Sequence, residues 1–410
     1  MSRGLAIQPL SAPPDVDIRV PGSKSITNRA LVAAALAHGV SRLRGVLFAD
    51  DTEAMLDSLS RLGVRLEIDR DEEVVVVHGT GGEIPATEAD LDARQSGTTA
   101  RFLLPMLALG HGRYRLDGDP QLRGRPIGPG IDALRQLGVQ IVEEGAARHL
   151  PLVVEADGLR GGSVTIDAAV SSQFLSGLML AAPYAAGPIA IEVTGRQVSR
   201  PYVEMTAAVV RAFEDGATDF TIEPDASAAS YFFAAAAITG GRVTVPDLGS
   251  ASLQGDLRFA DVLASMGAEV DRATDSTTVR GRPLSGGLID LTDLSDTAPT
   301  LAVVAPFASS PTETTGIGFI RSKESDRIAA VVTELRRCGI TADEKPDGLI
   351  VQPGVPHGAT VETYGDHRIA MSFALLGLVT PGIVITDPDC VAKTFPDYWT
   401  RLDGLRAAGG

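Results

Sequence analysis

The chain repeats one structural pattern six times. In each copy a segment of amphipathic helical period ends at a glycine, and a β-branched stretch usually follows. These glycines lie at positions 63, 138, 216, 267, 339 and 409, so the steps between copies are 75, 78, 51, 72 and 70 residues. A glycine after a helix supplies the left-handed residue that ends it, and steps this long exceed those of solenoid repeats. The pattern predicts a unit of two helices and several strands, used six times.

The second helix of each unit is apolar on nearly all sides. A helix of this kind is buried rather than on the surface. The six segments are 26–37, 98–109, 174–182, 226–238, 298–307 and 369–378. We therefore expect an α/β protein of two domains with three units each, in which buried helices are surrounded by outer sheets with approximate threefold symmetry.

Length and charge narrow the class of protein. A chain of 410 residues is too long for one ordinary core, which again suggests two domains. No apolar run reaches the length of a membrane span, so we expect no membrane partner. The net charge of −16 disfavours a nucleic-acid partner, because a phosphate backbone requires a basic surface. If the substrates are anions, the cations that bind them must be concentrated locally.

Cysteine content and the first residues indicate the compartment. Two cysteines, Cys338 and Cys390, in so long a chain argue against a disulfide framework and fit a reducing environment. Residues 1–14 carry neither a charged segment followed by an apolar stretch nor an Arg/Ser-rich transit pattern. We therefore expect a cytoplasmic protein.

Several buried helices are predicted to begin with cations. The segment 21–31 has the pattern of a turn followed by a helix with Lys24 at its entrance, and Lys323, His367 and Arg368 are predicted in first turns of later helices. A helix N-terminus bears a partial positive charge, so each such cation costs roughly 0.3–1 kcal/mol. A bound anion would remove this conflict. The repeated conflict predicts anion-binding sites.

Each of these segments, taken alone, also fits a structural explanation. Ser23 or Ser25 can cap the first helix. Asp225 and Asp296 stand where N-caps usually do, and His367 fits a capping or core residue. The functional prediction therefore rests on the recurrence of such segments at equivalent places in repeated units.

Nine ordered segments resemble the 5-enolpyruvylshikimate-3-phosphate synthase family along almost the whole chain. They are 21–30 (PGSKSITNRA), 96–101 (SGTTAR), 118–127, 171–178, 199–206, 224–232, 323–327 (KESDR), 365–371 (GDHRIAM) and 390–399. The resemblance implies the two-domain inverse α/β barrel of the enolpyruvyl transferases, closing over its substrates. It also implies an N-terminal domain of residues 20–224, whose third unit is shortened, and a C-terminal domain of residues 1–19 with 225–410.

The resemblance implies transfer of the enolpyruvyl group of phosphoenolpyruvate to the 5-hydroxyl of shikimate-3-phosphate. Residues implied to surround shikimate-3-phosphate are Lys24, Ser25, Arg29, Ser171, Ser172, Gln173, Ser199, Tyr202, Asp296 and Lys323. Residues implied to bind phosphoenolpyruvate are Lys24, Gly97, Arg125, Gln173, Arg327, Arg368 and Lys393. We expect a monomer that uses neither a cofactor nor a metal ion.

The reaction implied is an addition followed by an elimination, so protons must be exchanged on both sides of the reacting centre. Asp296 is the candidate at the 5-hydroxyl, with Lys24 assisting electrostatically. Glu324 is the candidate at the methylene carbon, with His367 positioning it or relaying the proton. Arg327 and the other cations would hold the two anionic groups of phosphoenolpyruvate.

The sequence departs from the family pattern in three places. Phe319 stands where many relatives place an Asn that contacts shikimate-3-phosphate, and Gln95 replaces the usual Asn beside the SGTT run. The stretch 211–223 is short where relatives usually have an additional hairpin, in agreement with the 51-residue step. We therefore expect the third unit of the N-terminal domain to lack strands.

Two alternatives remain open at this point. UDP-N-acetylglucosamine enolpyruvyl transferases have a similar fold and chemistry, but they usually carry a reactive Cys in the loop that here spans residues 118–126 without one. A non-catalytic two-domain binder of phosphorylated metabolites would share the cations. It would not need the proton-transfer set Asp296, Glu324 and His367.

Overall fold

The computed structural model describes residues 4–169 and 171–406. The chain forms two compact units. The inserted unit is Gly22–Glu223, and the split unit combines Met1–Pro21 with Pro224–Gly410. Within the described residues, no helix combines the length and the apolar composition that crossing a membrane requires.

Short strands and medium-length helices alternate along both units. The strands are β1 (Leu5–Ala6), β2 (Asp15–Asp17), β3 (His38–Arg44), β4 (Arg65–Asp69), β5 (Val74–Thr80), β6 (Glu88–Asp92), β7 (His111–Asp117), β8 (Gln140–Glu143), β9 (Leu152–Asp157), β10 (Gly162–Asp167), β11 (Ile189–Thr194), β12 (Asp219–Thr221), β13 (Arg242–Pro246), β14 (Glu269–Arg272), β15 (Ser276–Arg280), β16 (Leu288–Asp290), β17 (Thr312–Thr315), β18 (Ala342–Lys345), β19 (Gly348–Val351), β20 (Thr360–Val361) and β21 (Val384–Ile385). The helices are α1 (Lys24–Leu36), α2 (Asp50–Arg61), α3 (Gly97–Leu107), α4 (Pro120–Arg123), α5 (Gly128–Gln136), α6 (Ser172–Ala181), α7 (Arg200–Glu214), α8 (Ala226–Thr239), α9 (Phe259–Met266), α10 (Ala298–Val304), α11 (Arg327–Arg337), α12 (His367–Gly377) and α13 (Tyr398–Gly404).

The sheets of both units repeat one topology. In the order β12-β3-β5-β4, the first pair is parallel and the next two pairs are antiparallel. The same pattern recurs in β6-β7-β9-β8, in β2-β13-β15-β14 and in β16-β17-β19-β18. Because each four-stranded sheet follows the same order, the repeat in the sequence corresponds to a repeat in the fold.

The remaining two sheets are shorter versions of this pattern. In the inserted unit β10 and β11 form a parallel pair, and α7 follows β11 along the chain. In the split unit β20 and β21 form the parallel pair, and β1 joins β21 antiparallel. Within residues 22–169 and 171–223, the third sheet thus lacks the antiparallel strands that the other two sheets of this unit contain. This agrees with the shortness of the stretch 211–223.

The predicted apolar helices form the cores. The buried helices α1, α3 and α6 belong to one hydrophobic cluster in the inserted unit, and α8, α10 and α12 belong to another in the split unit. Each of the six contains mostly buried residues. The expected α/β architecture of buried helices with surrounding sheets is confirmed.

The glycines of the repeat adopt the left-handed conformation expected of helix ends. Gly63, Gly138, Gly216, Gly267 and Gly339 have φ values of 88°, 83°, 83°, 121° and 83°. A residue with a Cβ is disfavoured at such angles, which explains why glycine recurs. The sixth glycine of the pattern, at position 409, lies outside the described residues.

One predicted helix start is wrong. Lys323 does not lie in a first turn, because α11 begins four residues later, at Arg327, with Asp326 as its N-cap. Lys323 instead follows a short 3-10 segment, Gly318–Ser322. The side chain of Asp326 accepts a hydrogen bond from the amide of Ala329 at 3.1 Å, which fixes the helix start at this later position.

Candidate active site

The first cation of the inserted unit is anchored by a carboxylate. Ser23, rather than Ser25, caps α1 by accepting a hydrogen bond from the amide of Ile26. Lys24 is the first helical residue, and its Nζ lies 3.1 Å from Oδ2 of Asp51 in the first turn of α2. The Asp51 side chain is 3% exposed and that of Lys24 is 14% exposed. This ion pair offsets the conflict between Lys24 and the partial positive charge of the helix.

Arg29 is a buried cation surrounded by neutral oxygens. Its Nε donates to Thr206 Oγ1 at 2.7 Å and its Nη1 donates to the carbonyl of Ser25 at 2.8 Å. Its Nη2 donates to Ser176 Oγ and to the carbonyl of Tyr202. Burial lowers the pKa of Arg29 to about 10. An anion beside this guanidinium would therefore stabilise its charged form.

A second cluster links the start of α3 to the start of α6. Arg101 Nη1 donates to Gln173 Oε1 at 2.6 Å, and Gln173 Nε2 donates to Thr98 Oγ1 at 2.9 Å. The Arg101 guanidinium also lies 4.9 Å from the ring centroid of Phe174. The orientation of the Gln173 amide is thus fixed by two partners, which suits a side chain that must present one face to a ligand.

Gly97 provides the space for Arg125. A Cβ added at Gly97 would lie 2.9 Å from Arg125 Nη2 and 3.0 Å from its Cζ. Both residues are buried, and Gly97 is the first residue of α3, with Ser96 as its N-cap. The guanidinium therefore lies beside the first residue of α3, where an anion could use the cation and the amides of the helix start together.

Three hydroxyl groups stand at the starts of α6 and α7. Ser171 caps α6 by accepting a hydrogen bond from the amide of Gln173, and Ser172 is the first residue of that helix. Ser199 precedes α7 with φ of 53°, in the left-handed region. All three serines are buried. Tyr202 lies in the first turn of α7, and its ring centroid is 5.7 Å from the Arg29 guanidinium carbon.

The split unit gathers carboxylates around Arg327. Its Nε donates to Asp366 Oδ2 at 2.9 Å, its Nη2 donates to Glu324 Oε2 at 2.8 Å, and its Nη1 donates to Asp296 Oδ1 at 3.2 Å. The Arg327 side chain is 2% exposed. Burial by itself would lower the pKa of Arg327, but Asp366, Glu324 and Asp296 raise it above its ordinary value.

Asp296 joins Arg327 to a second arginine. Its other oxygen, Oδ2, accepts a hydrogen bond from Arg368 Nη2 at 2.7 Å. Arg368 Nη1 lies 3.4 Å from the hydroxyl of Tyr231, and burial raises the pKa of that phenol to about 12, so it stays protonated at neutral pH. The side chain of Asp296 lies in a 3-10 turn before α10 and pairs with arginines, whereas Asp225 caps α8 through the amide of Ala228.

The start of α12 carries three functional candidates in a row. Asp366 is its N-cap and is 0% exposed, and it accepts hydrogen bonds from the amide of Arg368 and the hydroxyl of Ser325. His367 is buried, with Nδ1 3.7 Å from Asp366 Oδ1. Both His367 and Arg368 lie in the first turn of α12, as predicted.

The two lysines of the split unit differ in their surroundings. Lys393 is buried at the end of a 3-10 segment, with Nζ 3.8 Å from Glu324 Oε1. Lys323 is partly exposed, and its Nζ lies 5.9 Å from the ring centroid of Phe319. Lys393 and Arg327 therefore both contact Glu324. Lys323 instead lies beside Phe319, where the sequence departs from the family pattern.

Two buried carboxylates in these clusters were not among the predicted site residues. Asp51 holds Lys24, and Asp366 holds Arg327 and the start of α12. The signal for Asp366 was present in the sequence, since it precedes His367 at a helix start. The pairing of Asp51 with Lys24 spans 27 residues, and no local pattern predicts it.

Comparisons with known proteins identify the family of the chain. The sequence model of the family described as EPSP synthase (3-phosphoshikimate 1-carboxyvinyltransferase) matches residues 11–402. The chain belongs to the EPSP synthase family.

Named relatives and solved structures extend this match. The 3-phosphoshikimate 1-carboxyvinyltransferase of Nostoc punctiforme is 46% identical over 97% of this chain and 98% of its own length, and that of Vibrio vulnificus is 41% identical over 98% of each. A structure of EPSP synthase from Acinetobacter baumannii superposes with a TM-score of 0.81 at 27% identity, covering 98% of each chain.

Membership of the EPSP synthase family makes this chain a transferase of the shikimate pathway, which supplies the aromatic amino acids. The alternative of a UDP-N-acetylglucosamine enolpyruvyl transferase is not favoured, because the matching family and its named relatives are 3-phosphoshikimate 1-carboxyvinyltransferases. The resemblance expected from the nine segments is confirmed.

Proposed function

We propose that the residues predicted from the sequence carry out the family's reaction in this chain, with the roles described below. The observation that carries this proposal is the position of the Asp296 carboxylate. Its two oxygens accept hydrogen bonds from Arg327 at 3.2 Å and from Arg368 at 2.7 Å. A planar carboxylate therefore fits between the two guanidinium groups, and the carboxylate of phosphoenolpyruvate has the same shape and charge.

Binding of phosphoenolpyruvate would then release Asp296. The substrate carboxylate takes the arginine donors that otherwise bind Asp296. The phosphate of the same substrate is assigned to Arg125 and Lys393, with Gly97 leaving room for Arg125, and with Lys24 and Gln173 in contact with both substrates. Asp296 becomes available as a base only when the arginines have a new partner, so substrate binding and base release are coupled.

Shikimate-3-phosphate is assigned to the hydroxyls and cations at the helix starts of the inserted unit, together with two residues of the split unit. Buried Arg29 supports this assignment, because its pKa is lowered to about 10 by burial and an anionic ligand would offset that cost. The assigned set is Lys24, Ser25, Arg29, Ser171, Ser172, Gln173, Ser199, Tyr202, Asp296 and Lys323.

The chemistry is addition followed by elimination. Asp296 takes the proton of the 5-hydroxyl, whose oxygen then attacks the enol carbon of phosphoenolpyruvate. Glu324 protonates the methylene carbon and produces a methyl group in a tetrahedral intermediate. Phosphate leaves with the proton that Asp296 took from the 5-hydroxyl, and the methyl group returns a proton to Glu324. Lys24 stabilises the developing negative charge, and His367 positions Glu324 or relays the proton.

The chain acts as a cytoplasmic monomer on small molecules, with its domains bounded at residues 20 and 224, and it requires neither a metal ion nor a cofactor. The two cysteines support a reducing compartment, and the net charge of −16 argues against a nucleic-acid partner.

Phosphate release with both substrates, compared with each substrate omitted, tests the activity. Asp296→Asn and Glu324→Gln test the roles, since both changes keep size and much of the hydrogen bonding. We expect turnover to fall by about 10²–10⁴-fold in both variants, with shikimate-3-phosphate binding within a small factor of wild type. Deuterium exchange into the methyl-derived carbon should fail more severely in Glu324→Gln.

A matched control is Asp225→Asn, because Asp225 is a helix N-cap that accepts a hydrogen bond from the amide of Ala228 at 2.8 Å. It should alter thermal stability slightly and leave turnover close to wild type. Normal turnover in the Asp296 and Glu324 variants, with no more than an earlier melting transition, would show that both carboxylates are structural.

A further inference from the structure

The segment that leads into α12 contains a tight turn of unusual conformation. The amide of Asp366 donates to the carbonyl of Thr363 at 2.9 Å. The two residues between them, Tyr364 and Gly365, have φ values of 58° and 65°. Positive φ at both central positions is the pattern of a type I′ turn, which usually contains Asn, Asp or Gly. A tyrosine in this conformation is strained, so its surroundings must hold it there.

Glu334 of α11 supplies contacts that hold this turn. Its carboxylate is fully buried and accepts a hydrogen bond from the Tyr364 hydroxyl at 2.8 Å through Oε1. Its Oε2 accepts a hydrogen bond from the amide of Glu362 at 3.0 Å and lies 3.1 Å from Arg337 Nη1. A buried carboxylate bound to the backbone and to a side chain of the same segment restricts both.

Helix α11 therefore contacts the same segment at two points. Arg327, its first residue, binds the Asp366 carboxylate through Nε at 2.9 Å. Glu334 follows seven residues later, and seven residues rotate a helix by about 700°, which is within roughly 20° of two full turns. Both side chains therefore lie on one side of the helix. Glu334 binds the segment before Tyr364, through the amide of Glu362, and Arg327 binds it after Tyr364, through Asp366.

We propose that Glu334 is a positioning residue for the reaction: it fixes the turn at Tyr364 and thereby sets the alignment of Arg368 with Arg327. It touches neither substrate and acts through the start of α12. This inference rests on the proposed function in one respect, the assignment of Arg327 and Arg368 to the carboxylate of phosphoenolpyruvate.

The test compares Glu334→Ala with Glu334→Gln in the full-length enzyme. Gln can keep both contacts to the turn, because its oxygen accepts from the amide of Glu362 and its amide group donates to the Tyr364 oxygen. We expect Glu334→Ala to lower kcat/KM for phosphoenolpyruvate by about 10- to 100-fold, mainly through KM, with KM for shikimate-3-phosphate within about twofold. Glu334→Gln should recover most of this loss.

Arg336→Ala is the matched control on the same helix. Arg336 is exposed and pairs with Asp343 on the surface, away from the turn. It should leave both KM values unchanged. If Glu334→Ala instead reduces both substrate affinities and kcat alike, and Glu334→Gln does not recover them, then Glu334 has only a structural role and the proposal is overturned.

Hydrogen exchange of the amides in residues 362–370 separates this inference from the proposed function. Glu334→Ala should accelerate exchange in this segment more than elsewhere, and unchanged exchange would contradict the inference whatever the kinetics. Arg368→Gln tests the assignment of Arg368 to the carboxylate of phosphoenolpyruvate. If Arg368→Gln leaves KM for phosphoenolpyruvate unchanged while exchange in Glu334→Ala is faster, the substrate assignment fails and the control of the turn by Glu334 stands.

Discussion

At the scale of single residues, most cations of the candidate site are paired with the chain's own carboxylates. Lys24 is bound to Asp51, and Arg327 and Arg368 share Asp296. Burying a cation without an opposite charge beside it is costly, and these pairs reduce that cost. On the proposed assignment, an anionic substrate replaces these carboxylates as the partner of the cations. This favours ligands that pair with the whole cluster over small anions that pair with part of it.

Lys24→Met should reduce kcat by about 10²–10³-fold, because the cation assigned to both substrates is lost. The substitution also leaves the buried Asp51 carboxylate without its ammonium partner, so thermal stability should fall. The double variant Lys24→Met with Asp51→Asn removes this second effect. It should regain stability but not turnover, as measured by thermal melting and phosphate release. Recovery of turnover in the double variant would contradict the catalytic role of Lys24.

Gly97→Ala should displace the Arg125 guanidinium, because the added Cβ would lie 2.9–3.0 Å from three of its atoms. We expect KM for phosphoenolpyruvate to rise by about tenfold or more, with KM for shikimate-3-phosphate nearly unchanged. Gly124→Ala is the control, because a Cβ there meets its nearest atom at 3.5 Å, an ordinary contact. Steady-state kinetics with each substrate varied in turn would test this, and equal effects of the two substitutions would refute it.

At the scale of elements, the starts of buried helices carry the candidate residues. Lys24 begins α1, Gly97 begins α3, Ser172 begins α6 and His367 begins α12. Exposed amides at such positions favour anions. The repetition within each unit therefore supplies several helix starts of the same kind, each of which favours an anion.

Replacing Ser199, before α7, should have opposite effects on stability and on substrate binding. Its φ of 53° is unfavourable for serine and acceptable for glycine, so Ser199→Gly should relieve strain and raise the free energy of unfolding by about 1 kcal/mol. The hydroxyl assigned to shikimate-3-phosphate is lost at the same time, so KM for that substrate should rise. Denaturant unfolding and kinetics measure the two effects. A more stable variant with unchanged KM would remove Ser199 from the substrate site.

At the scale of the whole molecule, each unit has its own core and its own sheets. The clusters of buried hydrophobic residues divide between the inserted and the split unit, and strand pairs join residues of the same unit. The inserted unit is a continuous segment, whereas the split unit takes β1 and β2 from the first 21 residues. The two units should therefore differ in stability when they are expressed as separate fragments.

The fragment 22–223 should fold and unfold cooperatively when expressed alone. The fragment 224–410 should be less stable, because β13 and β21 lose the partners β2 and β1, and a peptide of residues 1–21 added in trans should restore part of the stability. Circular dichroism and thermal melting test both expectations. Neither fragment should release phosphate alone, because the proposed reaction uses residues of both units; activity of one fragment would contradict that assignment.

The sequence by itself determined the repeat, the six buried helices and the glycines that end their partners. These features follow from local rules, since a helix that is apolar on all sides is buried and glycine is favoured at a left-handed helix end. Where a neighbouring residue competes, local rules fail. The sequence pattern puts Lys323 in the first turn of a helix, whereas Asp326 is the N-cap and the helix begins at Arg327.

The tertiary structure alone decided which partners the buried cations have. Lys24 pairs with Asp51 27 residues away, Arg29 donates to Thr206 177 residues away, and Arg327 pairs with Asp366 39 residues away. No periodic pattern encodes such pairs, because each depends on how two helices pack and on which buried polar atoms remain to be satisfied. For the same reason Asp296 was predicted as a helix cap or a base, and only packing revealed it as the carboxylate between Arg327 and Arg368.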